Sequence, residues 1–469
     1  MRCSGRKWIG IAGIFCFLVL SPSAWSGVFV RWTNSGLPAA EALGFSDLVV
    51  SWNEGAVPLM QAASNKKYRV YVEVSVQDAS AATDQAAKNG CAGIILRVPQ
   101  REREAALTAL ARLRAAYPQL KFSILTPDGK KPEMRGSLVI KRESVLEVSS
   151  PTAQPWIDTN LPVVRIEQRV YPKQVPMYEF STNAAGSDQA AEDSTDYLLP
   201  IAEAGAFHAD LILDVDAALQ KALSQNDAAA WKLWNQVRAY ASFYSQPAGQ
   251  LESAAKVAVV VDDLDTGDEA INLLARHNIP FQVLLPSDLQ SADVEAFEVF
   301  AVFAKADKAA SERLTELARR GKTIVVVDAH GSYPWQKGQS VPLNEHAASY
   351  SVGSGKVLEL SEPVSDPETF SQDIRRLVGR QNTLLSLWNG LTTIAVPYHQ
   401  PGGAIKLVEF INYAEEPVRV QVQVKGSFTS VRYESPQSGC CTDLNPVTHD
   451  GFTEFVIPDL TIAGRVHLQ

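Results

Sequence analysis

The stretch YRVYVEVSV (residues 68–76) alternates without a break. Val70, Val72, Val74 and Val76 fall on one face, and Tyr71, Glu73, Ser75 and then Gln77 fall on the other. A period of two marks a strand with two unlike faces. A wholly apolar face needs helices packed against it, and REREAALTALARLRAAYP (101–118) supplies one close by in the chain. In a barrel jacketed by helices the valines point outward, and Glu73 points into the lumen.

Working outward from this strand, further runs of the same kind are VFVRW (28–32), DLVVSW (47–52), AGIILRV (92–98), KFSILT (121–126), SLVIK (137–141), PVVRIEQ (162–168) and ADLILD (209–214). Together with 68–76 they predict eight strands with helical crossovers, hence a (β/α)8 barrel over 27–250. The barrel is expected to be irregular, because VLEVSSPTAQPWIDTN (145–160) reads as loop where a helix is due. Alternation places Arg31, Arg97, Arg165 and Glu167 inward alongside Glu73, joined by Asp214. Such a lumen has two readings. It is an ion-pair network that fills a barrel without catalysing anything, or a polar pocket whose arginines grip an anionic sugar while glutamates do acid–base work.

The composition shifts at 249–256, and a βαβ series begins with KVAVVVDDLDTG (256–267). It predicts a flavodoxin-like α/β domain with a mostly parallel sheet over 255–382. Asp262, Asp263 and Asp265 sit at the carboxyl edge of that sheet, where Mg²⁺ or a phosphoryl group could be held. The later strand end offers Asp328-Ala329-His330 and no basic partner, so the acidic turn is expected to cap the helix starting near Asp268. After Leu384 short alternating strands predict a β-sandwich over 383–469.

Residues 1–26 have the form of a secretory signal: Arg2, Arg6 and Lys7, an apolar run from Trp8 to Leu20, then Ala24-Trp25-Ser26. The expectation is an exported protein, periplasmic or extracellular, with no membrane attachment after cleavage. Without that segment 40 basic residues face 52 acidic ones, a net charge of about −12 that argues against nucleic acid as a partner. Cys91, Cys440 and Cys441 then remain, too few for a disulfide framework. Adjacent Cys440 and Cys441 either close a ring on each other or stay separate. No Cys/His spacing suggests a metal, and no cofactor is expected.

The segments VAVVV, LLARHNIPFQVLLPSDL, EVFAVF and LTELARRGKTIVVV resemble the glutamine-amidotransferase-like domain that follows the barrel in family 42 bacterial β-galactosidases. The resemblance extends to the order of parts: exported barrel, amidotransferase-like domain, small β-sandwich. It implies a domain without its nucleophilic cysteine, since FAVFAKADKAAS (300–311) has none, and one used for packing or for a homo-oligomer. It also implies a glycosidase barrel, in which an Asn-Glu acid/base follows strand four and a nucleophilic Glu follows strand seven. Here strand four ends at Arg97-Val98-Pro99, Asn53-Glu54 follows strand two, and Glu167 ends the expected seventh strand. The catalytic candidates are therefore Glu167 with Glu73 or Glu54. Arg31, Arg97, Arg165 and Asp214 are candidate substrate contacts, with Trp32, Trp52 and Trp156 as stacking platforms or as core. The function expected is that of a glycoside hydrolase-like protein acting on or binding a carbohydrate, an anionic sugar in particular. The alternative is a non-catalytic carbohydrate-binding or cell-envelope scaffold protein.

Overall fold

The computed structural model describes residues 27–469 apart from 54, 100–101, 126–128, 130, 136–138, 143–144, 149–155, 173, 182–193, 246–250, 263–266 and 415. The expected signal segment, Glu54, Asp263 and Asp265 lie outside the described residues.

The amino-terminal part is a parallel sheet of seven strands: β1 (Val28–Arg31), β2 (Asp47–Ser51), β3 (Arg69–Ser75), β4 (Gly93–Arg97), β5 (Lys121–Leu125), β6 (Met177–Ser181) and β7 (Asp210–Asp214). Their order is β6-β7-β1-β2-β3-β4-β5, and β5 approaches β6 without a hydrogen-bonded ladder between them. The result is a nearly closed barrel. Its outer face carries Val30, Val50, Val72, Leu96, Ile124, Phe180 and Leu213, which pack on the helices. Its inner face holds a separate apolar layer of Phe29, Val49, Tyr71, Ile95, Leu125, Met177 and Ile212. The alternation read from 68–76 therefore holds around the whole barrel.

Two of the eight expected strands are not barrel strands. Residues 137–141 overlap Val139–Arg142, which pairs antiparallel with Val145–Val148 in a sheet of its own. Residues 162–168 lie inside helix α1 (Leu161–Val170). Asn160 precedes α1 and Pro162 lies in its first turn, where a missing N–H costs nothing. Leu161 through Glu167 are all buried, so the apolar run serves a helix enclosed on several sides rather than a half-buried strand. The missing barrel strand is β6.

Two longer helices cover the same part. Helix α2 (Thr195–Phe207) is buried throughout its last three turns and packs on helix α3 (Ala228–Tyr244). Gly205 permits this approach, because a Cβ there would run into the Tyr244 ring. Gly205→Ala is expected to cost about 1–3 kcal/mol through overpacking. Urea denaturation checks this, and an unchanged midpoint would mean that α2 and α3 can separate freely.

The second sheet comprises β8 (Val257–Val260), β9 (Phe281–Leu284), β10 (Val299–Val302), β11 (Thr323–Val326), β12 (Ser340–Asn344), β13 (Ala347–Val352) and β14 (Gly355–Leu360). Its order is β9-β8-β10-β11-β14-β13-β12, parallel as far as β14 and then antiparallel. The segment EVFAVF supplies β10, and a 3₁₀ turn over Ala292–Ala296 precedes it. The helix after β8 starts at Asp268 with Gly267 in the N-cap position at φ 88°. Asp262 is exposed, and the other two carboxylates of the turn expected to cap this helix lie outside the described residues.

The carboxyl-terminal strands form two antiparallel sheets. One has the order Glu252–Ser253, Thr393–His399, Ile405–Asn412, Ala463–Leu468, Val431–Ser435, Gly439–Asp443. The other has Leu385–Trp388, Val418–Lys425, Phe452–Leu460, Val447–His449. Glu252–Ser253 precedes the parallel sheet in sequence yet pairs with Tyr398 and His399. Cys440 and Cys441 are disulfide-bonded to each other, and Cys91 is a buried free thiol.

Candidate functional site

Directly above the apolar layer, toward the carboxyl ends of the strands, the inward positions become charged. Arg31 ends β1, Glu73 lies near the end of β3, Arg97 ends β4, Glu179 lies on β6 and Asp214 ends β7. Each is two residues beyond a member of the apolar layer, so the pleat itself aims all five at the lumen. Barrel enzymes carry their chemistry at this end.

The five side chains form one network. Arg31 Nη2 donates to Glu73 Oε2 at 2.6 Å and to Glu179 Oε2 at 2.7 Å. Arg97 Nε donates to Glu73 Oε1 at 2.8 Å, and its Nη1 to Glu179 Oε1 at 2.6 Å. Two guanidinium groups and two carboxylates thus alternate in a ring, and Arg31 Nη1 reaches Asp214 Oδ2 at 3.3 Å. Burial works against the charge on Arg31, but Glu73, Glu179 and Asp214 outweigh it and hold the proton more firmly than in water. Hydrogen bonding to Glu179 raises Arg97 likewise. Burial pushes the Glu179 carboxyl upward, yet Arg97 and Arg31 overcome it and hold the group below the usual carboxylate range. The Arg31 and Glu73 side chains are 8% and 6% exposed, whereas Arg97 and Asp214 are 35% and 25% exposed, so the ring opens to solvent through the latter pair.

At the carboxyl ends of β1 and β2 lies a pocket of about 370 Å³, bordered by Trp32, Thr33, Ser35, Ser51, Asn53 and Pro58 and by none of the five network residues. Ser51 is paired in register with Glu73, which joins the pocket wall to the ring. Trp32 is fully buried and donates through Nε1 to Asn34 O at 2.8 Å. It braces the loop after β1 from below and offers no open ring face. Trp52 is half-buried against the core. Trp156 sits elsewhere: its Nε1 donates to Asp158 at 2.8 Å, its ring lies 5.9 Å from the Arg276 guanidinium, and the neighbouring Ile157 carbonyl accepts from Asn272. The strand Trp156–Asp158 therefore contacts the helix Asp268–Arg276 that follows β8.

Of the inward residues read from sequence, Arg31, Glu73, Arg97 and Asp214 come together, and Arg165 and Glu167 do not. The latter two are buried on α1, outside the barrel wall, because their segment is helical. Sequence reading missed Glu179. Its signal was the alternation of Met177 and Glu179 against Tyr178 and Phe180 in PMYEFS.

Glu73 Oε2 and Glu179 Oε2 share one guanidinium nitrogen, which keeps them no more than about 5 Å apart, within the spacing of a retaining glycosidase pair. Such a pair needs one protonated member to act as acid. Here both carboxylates are clamped by the same two arginines, and the fourth strand supplies Arg97 where an acid/base would stand.

A scan against protein-family models finds no match, and a search of curated proteins finds none either. Solved structures do match over nearly the whole chain. The α-L-fucosidase isoenzyme 2 of Paenibacillus thiaminolyticus aligns with a TM-score of 0.59 at 13% identity, covering 95% of this chain and 99% of that one. The β-galactosidase of Rahnella sp. R3 aligns at 0.57 and 9% identity, covering 96% and 99%. The β-galactosidase of Bacillus circulans sp. alkalophilus aligns at 0.53 and 10% identity, again covering 96% and 99%. At these identities the likeness is one of fold, and it agrees with the glycosidase-like order of a parallel barrel and carboxyl-terminal β-sheets read from the sequence. No helix among the described residues is long and apolar enough to cross a membrane.

Proposed function

We propose that this chain is a carbohydrate-active protein that holds a saccharide at the carboxyl-terminal mouth of its barrel, with binding rather than hydrolysis as the activity of the paired ring. The observation that carries this reading is a charged floor at the strand ends, next to whose Glu73 stands Ser51 of a pocket of single-sugar size. Hydroxyl-rich ligands suit such a floor, which offers guanidinium N–H groups and carboxylate oxygens together. Two cations face three anions there, so the lumen is not a grip for an anionic sugar. Export, read from residues 1–26, belongs to the same proposal, since it would bring the barrel to extracellular or periplasmic glycans.

Hydrolysis is the second reading, favoured by the spacing of Glu73 and Glu179. The two are separated by calorimetry and by turnover of neutral and uronic aryl-glycosides and oligosaccharides, using the wild type, Asn53→Ala and Glu179→Gln. Binding of a neutral oligosaccharide without turnover, weakened about 10-fold or more in Asn53→Ala, is the expected result. Turnover lost in Glu179→Gln would replace binding with catalysis, and absence of both would remove the barrel mouth as a site.

A further inference from the structure

A second cleft, of about 970 Å³, lies where α1, the parallel sheet and the sandwich meet. Its lining includes Arg165, Gln168, His208, Lys256, Tyr398 and Lys425. Four arginines are buried among the described residues: Arg31, Arg165, Arg276 and Arg465. Arg31 is paired with Glu73, Arg276 with Glu368 and Arg465 with Glu409. Arg165, 6% exposed, has no carboxylate partner among the described residues. Its contacts are neutral: Nη1 donates to Gln168 Oε1 at 2.7 Å, Nη2 donates to Tyr398 OH at 3.2 Å, and the guanidinium stands 5.8 Å from the Tyr398 ring. A buried cation without a counter-charge is costly, and the ordinary remedy is a bound anion.

His208 gives an independent sign. It ends α2 at φ 60°, stacks on Tyr398 with 4.2 Å between ring centroids, and lines the same cleft. Its Nε2 is closed off from bulk solvent and has no hydrogen-bond partner among the described residues. Burial, with Arg165 and Arg465 nearby, lowers the ring's pKa to about 3, so the imidazole is neutral and serves as a hydrogen-bonding group rather than a charge. The acidic side chains on the cleft are Glu252, Asp288 and Asp293. Asp288 is already engaged by Arg169 and by the Leu285 N–H.

We infer that this cleft is an oxyanion site, with Arg165 as the anchor and His208 in the wall beside it, and that it takes the carboxylate of an acidic sugar or a phosphate group. The planar fork of a guanidinium fits either. The anion expected from the inward arginines Arg31, Arg97 and Arg165 is thereby assigned to the junction of the three parts, not to the barrel lumen.

Titration calorimetry and thermal unfolding of the full chain with D-galacturonate, inorganic phosphate and D-galactose test this. The expected result is heat and a raised midpoint with galacturonate, with phosphate or with both, and neither with galactose. The two anion arms tell a sugar carboxylate from free phosphate. Arg165→Met should weaken anion binding roughly 30-fold or more, with Arg165→Lys intermediate, and should abolish the anion-induced rise. A purely structural arginine would instead lower the midpoint in Arg165→Met by the same amount with or without anion. Silence from both anions, or a rise that survives in Arg165→Met, overturns the inference. Asn53→Ala, at the barrel mouth, should leave the anion response unchanged, so this site and the mouth can fail separately.

Discussion

Arg31→Ala is expected to destabilise the protein by about 3–5 kcal/mol. Arg31 is buried and contacts Glu73, Glu179 and Asp214 at once. Its removal leaves Arg97 alone to neutralise a lumen that holds three carboxylates, and Glu73 has little exposure through which water could help. Loss of one partner from a buried ion network costs far more than loss of the whole network. The double variant Arg31→Met with Glu73→Gln should therefore recover part of the loss. Urea denaturation at neutral pH measures both, and a loss below about 1 kcal/mol in Arg31→Ala would place the ring among the weak surface pairs. The comparison also bears on function, because a ring so dependent on each member is poorly suited to lending a carboxylate to catalysis.

Arg465→Ala is expected to cost about 1 kcal/mol more at pH 8 than at pH 5, since one unit of pKa is worth about 1.4 kcal/mol and Glu409 already stands near 7. Arg465 Nε lies 3.1 Å from Glu409 Oε1 in an ion pair whose N–H is not aligned on the oxygen, and the guanidinium covers the Phe243 ring at 4.4 Å. Burial raises Glu409 to about 7, with Arg465 pulling it down. Burial likewise raises Glu203 and Asp210 to about 7. A carboxyl whose pKa is higher in the folded chain binds its proton more tightly there. Stability then falls as pH climbs from the ordinary carboxylate range through about 7. Without Arg465 the Glu409 carboxyl rises further, so the variant should be near wild type at pH 5 and clearly weaker at pH 8. Glu179, held low by its arginines, opposes this trend below the ordinary carboxylate range. Thermal unfolding from pH 5 to pH 8 checks the slope. A variant equally weakened at both ends would show that Arg465 acts through packing alone.

The barrel was legible because strand alternation is a short-range rule. Glu73 between Val72 and Val74, Arg97 after Leu96 and Asp214 after Leu213 each declare a face within a few residues. The rule failed at PVVRIEQ, where Val163, Val164 and Ile166 fit a helix with several buried sides as well as a strand. Asn160 and Pro162 are the helix-start signals that decide it. It passed over PMYEFS because the strand Met177–Ser181 is short, and Pro176 and Glu179 offset the strand preference of Tyr178 and Phe180. What local reading could not reach is contact between distant segments. Arg165 meets Tyr398 across 233 residues, and Tyr413 reaches Glu203 across 210. No local pattern announces either, so the junction cleft and the buried Glu203 network become visible only in three dimensions.

The strand Glu252–Ser253 has a consequence for how the chain is made. It leaves the ribosome before the parallel sheet, yet its partner Thr393–His399 is synthesised well over a hundred residues later. The sandwich is thus a discontinuous unit threaded around the sheet between its parts. That sheet must form, or at least compact, while the first edge of the sandwich waits unpaired. A truncation that removes only the carboxyl-terminal strands would not shed a detachable module. It would leave a stub on the barrel, an open backbone edge of the kind that recruits chaperones or other chains.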